Sequence, residues 1–469
     1  MRVRASSVVV AVLLLAGCTS TSKTAHGTSP VGTPPGTSTV PPSPAPKPSG
    51  ATALPDWPAY HGDAVRSGVS AAMPPAEGTP RVDAAIKLDG EVYASPIVGN
   101  ALALVATENN TVYAFDQSNR QVWKRHLGSP SPADERPCGN INPLGITGTP
   151  VFDKASGLVF VAAEYGGPPR HELVAIDVSD GSVRWHRSLD LPGVETEAMQ
   201  ERGALTITGG RVWVPFGGLA GDCGGYKGRV IGLALSGSGS PVAYTVPTTR
   251  EAGIWTPPGP SVDANGHLFV AVGNGESGPG DPYDHSDSVL ELDTNARLVD
   301  SFSPSSWARD NAADLDLGSQ GPTIIGNWIF TAGKSGTAYV LRRGALGGIG
   351  GQVSNADLCR SFGGTAVAGD VVYVPCTDGV RAVSIDGSGR LRPLWRAAEP
   401  ISGSPVIGGG RIWTLDPAAG VLHSLDPRNG RSLGRASVGT TSRFATPALY
   451  GNKIYVPTLA GLVVVTSSG

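Results

Sequence analysis

The sequence predicts an all-β fold, an eight-bladed β-propeller of four-stranded antiparallel blades. Three observations predict it. A cue of small residues or proline, followed by an alternating apolar strand, recurs eight times: Ser95-Pro96, Thr149-Pro150, Ala204-Leu205, Gly259-Pro260, Gly321-Pro322, Thr365-Ala366, Ser404-Pro405 and Thr446-Pro447, spaced by 39 to 62 residues. Self-similarity at such a period marks a repeat architecture. The clearest repeat contains four short strands with period-two alternation: Pro96-Ile97-Val98, Ala103 to Ala106, Thr111 to Phe115 and Val122-Trp123-Lys124. Glycine is 65 of 469 residues, about twice the usual share. Helix-forming stretches are nearly absent, so those glycines read as turn residues. A pair of β-sandwiches is the rival, and the regular spacing speaks against it.

The elements follow in order. Arg2 and Arg4 precede the apolar run Val8 to Leu15 and then Leu15-Ala16-Gly17-Cys18. A basic head, an apolar run of this length and small residues before a cut site make a secretory signal. Leu-Ala-Gly-Cys resembles the lipobox of bacterial lipoproteins. By that resemblance residues 1–18 are a lipoprotein signal, and Cys18 becomes the lipidated, palmitate-bearing N-terminus. Residues 19–55 are Ser, Thr, Pro and Gly with few large apolar side chains. They bury too little to offset their ordering entropy and are expected to form a disordered tether. Residues 56–469 form the propeller. Its eighth repeat shows three strands after Pro447, and Val82 to Leu88 is expected to supply the fourth, closing the ring with an N-terminal strand. The net charge is −3, with 16% charged residues and no basic cluster, which argues against nucleic acid as a partner.

Besides Cys18 there are four cysteines, an even number that suggests two disulfides in an exported chain. Three pairings are possible. Cys359 enters blade six and Cys376 ends the second strand of that blade. Cys138 enters blade two and Cys223 lies in the two-to-three loop of blade three. The expected bonds are therefore Cys138–Cys223 and Cys359–Cys376. No C-x-x-C-H, H-E-x-x-H or paired C-x-x-C occurs, so no covalent haem or zinc motif is present. Gly333-Lys334-Ser335-Gly336 has the tail of a phosphate loop, but Trp328 stands where the first glycine belongs. Asp281, Asp284, His285 and Asp287 share one loop and are read as a solvated acidic loop rather than a calcium site. Turns between strands one and two and between three and four are short. The two-to-three loops and the blade connections are long, and binding usually sits on such loops.

The element Ala114-x-Asp116…Trp123, repeated as Ala175-x-Asp177…Gly181…Trp185, resembles the tryptophan-docking motif of pyrroloquinoline quinone (PQQ)-type propellers. Trp57 to Gly68 resembles the lead-in of that family. Blades three, five, six and seven lack a good copy of the docking motif. The family holds both quinone-dependent dehydrogenases and cofactor-free lipoproteins that scaffold outer-membrane barrel assembly. The first expectation is therefore a lipid-anchored, extracytoplasmic binding or scaffolding module acting through its long-loop face. Its expected partners are the membrane through the anchor, and another envelope protein or a small ligand, with the chain itself a monomer.

The alternative that the resemblance implies is a PQQ- and calcium-dependent dehydrogenase of alcohols or sugars. On the matching positions Trp255 would support the cofactor, and Asn274 and Asp222 would ligate calcium. Asp316, or alternatively Asp314, would act as base, and Lys334 would contact the quinone oxygens. Against it, the family's adjacent cysteine pair is missing, Asp replaces the usual Glu, and no haem site receives electrons.

Overall fold

The structure is a computed structural model that describes residues 54–467. The expected signal, Cys18 and the expected tether up to residue 53 lie outside the described residues. Eight small sheets succeed one another along the chain. Their innermost strands are Ile97–Gly99, Val151–Asp153, Thr206–Thr208, Ser261–Val262, Thr323–Ile325, Ala366–Ala368, Val406–Gly408 and Ala448–Tyr450. Each begins within two residues of its cue. The expected closure is present: Arg81–Lys87 pairs antiparallel with Gly461–Thr466, with Val82 opposite Val465 and Lys87 opposite Gly461. Apolar residues of facing blades share the cores, so each blade stabilises its neighbours rather than itself.

Tryptophans dock between blades as the motif implies. Trp123 of blade one lies on Gly181 in the outer turn of blade two and donates its indole N–H to the Val178 carbonyl at 2.8 Å. A Cβ on Gly181 would meet that ring at 2.7 Å, and its φ is +71°, so only glycine serves. Trp185 lies on Gly237 in the same way. Blade six departs from expectation. Trp395 docks on Gly430 of blade seven and donates to Pro427 O at 3.0 Å.

The lead-in is a plug rather than a lead. Trp57 pairs with Val98 of blade one. Carbonyls of Pro58, Ala64, Ser67 and Gly68 accept N–H bonds from Phe152, Val262, Val367 and Ile407, in blades two, four, six and seven. Val69–Ser70 adds a parallel strand to Val406–Gly408. Buried Arg66 donates to Leu205 O at 3.0 Å, Tyr60 O at 3.1 Å and Pro260 O at 3.2 Å. The Tyr60 hydroxyl lies 3.1 Å from Thr446 Oγ1 of blade eight. The innermost strands of a propeller present unpaired backbone groups to the axis, and this segment satisfies them. It enters beside the short turns, where Asp56 pairs with Lys154 at 3.1 Å.

Both expected disulfides form, Cys138–Cys223 with Cα atoms 6.2 Å apart and Cys359–Cys376 at 5.7 Å. The loop around Asp284 is not solvated as expected. Asp284 and Asp287 are buried, and Asp284 Oδ1 accepts from the Ser286 N–H and hydroxyl. No helix of the described residues is long and apolar enough to cross a membrane.

Candidate functional site

Blades three, four and five send their long loops to one cleft. The connection into blade four carries Trp255. It runs so close to blade three that a Cβ on Gly217 would meet Trp255 Cβ at 2.8 Å. Asn274 follows the strand Leu268–Val272, and Lys334 follows Trp328–Ala332. Asp314 and Asp316 follow the short helix Trp307–Ala312. Asp222 lies in the loop between Arg211–Gly218 and Arg229–Ala234, at φ +50°. All six residues line the same cavity of about 160 Å³, with Arg202, Tyr226 and Glu251 beside them.

The centre is an ion triad. Lys334 Nζ lies 2.5 Å from Asp314 Oδ1 and 2.5 Å from Asp316 Oδ2. Asp316 Oδ1 accepts from the Asn274 N–H at 2.6 Å, and Asp314 Oδ1 accepts from the Asn274 side-chain amide at 2.8 Å. Burial pushes the Asp316 carboxyl up, and the Lys334 ammonium opposes it. Burial alone would lower Lys334, but the two carboxylates outweigh it and hold the lysine charged. Behind them Asp287 accepts from the Leu317 N–H at 2.8 Å. Burial and the neighbouring Asp316 push Asp287 well above the carboxylate range.

The far wall is set by other pairs. Tyr226 donates its hydroxyl to Asp222 Oδ1 at 2.6 Å. Glu251 pairs with Arg250, and burial raises its carboxyl. The Arg202 guanidinium lies 5.8 Å from the Trp255 ring centroid. Asn274 Oδ1 is buried without a hydrogen-bond partner, an acceptor left for something else.

The sequence reading thus named six of the side chains that meet here. It missed Arg202, Tyr226 and Glu251. Tyr226 sits in the same loop as Asp222, and Arg202 lies just before the blade-three cue. Position relative to the repeat was the only signal for either.

The lining does not fit the quinone and calcium alternative. A cavity of about 160 Å³ is too small to seat a planar three-ring quinone together with its calcium. Asp222 is engaged by Tyr226, and Asp316 by Lys334. Among the described residues no three His, Cys, Asp or Glu side chains converge as metal ligands. Cys223, beside Asp222, is bonded to Cys138 rather than to an adjacent cysteine.

Comparison with known proteins agrees with the fold. A family model described as outer membrane protein assembly factor BamB matches residues 65–222. The crystal structure of BamB from Moraxella catarrhalis aligns over 82% of this chain and 99% of that one, at 19% identity and a TM-score of 0.56. The computationally designed Ika8 protein aligns over 83% of this chain and 100% of its own, at 12% identity and a TM-score of 0.54. No curated protein matches the sequence. At such identities the structural likeness speaks for the fold. The chain is an eight-bladed propeller, and its residues 65–222 are similar to the family described as outer membrane protein assembly factor BamB.

Proposed function

We propose that this chain is a lipid-anchored, extracytoplasmic binding or scaffolding module whose working surface is the long-loop face. The observation that carries the reading is the asymmetry of the two faces. The plug occupies the short-turn side of the axis, and the chain enters the propeller there. The cleft, with its unpartnered Asn274 acceptor, opens among the long loops. Resemblance of Leu15 to Cys18 to a lipobox supports the anchor, and the composition of residues 19–55 supports a tether. The likeness to BamB, an outer membrane protein assembly factor by description, supports an envelope protein as partner. The propeller works as a monomer, and Trp255, Asn274, Asp222, Asp314, Asp316 and Lys334 form its recognition surface.

Site-specific photo-crosslinking in the full-length, membrane-associated protein tests the reading. A photoreactive residue in place of Asp281 or Ala220 should give adducts with an envelope protein, and one in place of Ser156 should give none. Adducts confined to the Ser156 side would reverse the assignment of faces.

A further inference from the structure

We propose that the surface where Arg202 and Arg443 share the Phe444 ring, with Arg360 near Arg443, is a binding site for a small organic oxyanion. This goes beyond the module reading, since it requires no protein partner.

The three arginines come from three separate blade connections, those entering blades three, six and eight. Phe444 joins two of them. The Arg202 guanidinium lies 5.0 Å from its ring centroid and the Arg443 guanidinium 5.6 Å. The two cations therefore lie within about 11 Å of each other. Arg443 also stacks on Phe362 at 3.8 Å. Stacking on rings holds the guanidinium planes while leaving their N–H edges open.

Among the described residues their side-chain N–H groups have no hydrogen-bond acceptor. Among the described residues no carboxylate lies within 4 Å of any of the three. Arg66, deeper on the axis, differs in giving its donors to three carbonyls. Glu108 and Glu201 are carboxyls that oppose the lowering of Arg202 by burial. Both are themselves buried and raised, Glu108 to about 8, which weakens them as counter-charges. Burial lowers Arg443, and repulsion from Arg360 adds to it. Like charges held together on a partly desolvated surface are costly unless an anion joins them.

The space beside Arg443 suits a compact, single-ring organic anion. Phe362, Pro375, Thr377, Ser402 and Arg443 enclose about 170 Å³. The Thr441 and Ser442 hydroxyls, next to Arg443 in sequence, are buried without partners. Guanidinium forks match the two oxygens of a carboxylate or phosphate, and Phe362 and Pro375 accept an apolar body. The shared ligand chemistry is an oxyanion on an aromatic or apolar frame.

Isothermal titration of the full chain tests this with phenylacetate, phenyl phosphate and the neutral 2-phenylethanol. Either anion, or both, should bind at least about tenfold more tightly than the alcohol, the discrimination that one charge-assisted pair supplies. The relative strength of the two anions tells carboxylate from phosphate. Arg443→Gln, at an exposed position, should weaken anion binding about tenfold without changing the melting temperature, and Arg443→Lys should recover part of it. Affinity should also fall with added salt. Equal binding of alcohol and anions, or unchanged anion binding by the Arg202→Gln/Arg443→Gln variant, would overturn the proposal. Neither result bears on the photo-crosslinking, so the two readings fail separately.

Discussion

Lys334 serves two carboxylates at once, and its removal leaves their charges uncompensated. Asp316 is buried while Asp314 stands largely in solvent, so most of the cost falls on Asp316. Lys334→Met should destabilise the protein by about 3 kcal/mol, the lower end for a broken buried pair. Adding Asp316→Asn should recover part of the loss, since the unpaired charge goes with it. Urea denaturation of both variants checks the pair, and additive effects would mean that the contact contributes little. Glu108 makes a different prediction. Burial raises its carboxyl to about 8 in the folded state, although Gly145 N–H and the Thr147 hydroxyl bond to it. The unfolded chain releases this proton near the ordinary value of about 4.3. The folded state therefore holds more protons between those values, and stability falls as pH rises from about 4.3 to about 8. Glu108→Gln should remove that decline, worth up to about 5 kcal/mol across the window. Parallel stability curves for the two proteins at pH 5 and pH 8.5 would refute it.

At the scale of elements, the disulfides and the plug do most to fix the long loops and the axis. The Cys138–Cys223 bond spans 85 residues and ties the connection into blade two to a loop of blade three. In chain-entropy terms a loop of that length is worth about 4.6 kcal/mol. Cys138→Ser/Cys223→Ser should lower thermal stability markedly and loosen the wall near Asp222. Limited proteolysis should then cut between residues 219 and 226, and protection equal to the parent's would contradict this. The repeat was legible because each blade is local: its strands alternate, and its cue falls within two residues of the innermost strand. The cleft was half legible, since Trp255, Asn274 and Lys334 stand at fixed offsets from strands that the repeat already locates. The plug was not. Its bonds join Trp57 to Val98 and Gly68 to Ile407, and no pattern within Trp57 to Ser70 states partners so far away. The arginine cluster was illegible for the same reason, three lone residues in three loops that only closure of the ring assembles. Trp395 was passed over because blade six has Ser384 where the motif has Ala114, and its tryptophan follows Asp386 at a longer spacing than Trp123 follows Asp116.

The ring itself closes through one non-local joint between blade strands. Seven blades can each be made from consecutive chain, but the eighth takes its outer strand from Arg81–Lys87 and its remaining strands from the C-terminal end. Gly461–Thr466 lies between that strand and Lys453–Thr458. Its Leu462, Val463, Val464 and Val465 are all buried. A run of four apolar residues, three of them β-branched, is a strong strand former. Without its partner it becomes an unpaired edge, a template for pairing with another chain. Ring closure must wait until both ends of the domain exist, so the edge stays open through most of folding. Weakening the joint should therefore appear as association as well as lost stability. Ala84 and Ile86 of Arg81–Lys87 pack against the core that blade eight shares with its neighbours. Pro at Ile86, opposite Leu462, removes a backbone donor that faces the partner strand and constrains the chain. Ile86→Pro should give concentration-dependent oligomers in size-exclusion chromatography and a lower melting temperature. Asp83→Pro tests the same joint at the bulge between Val82 and Ala84, where the irregular pairing leaves less to lose, and its effect should be smaller. A monomeric Ile86→Pro variant with the parent's melting temperature would show that the ring is held by its other contacts, and that the N-terminal strand only covers it.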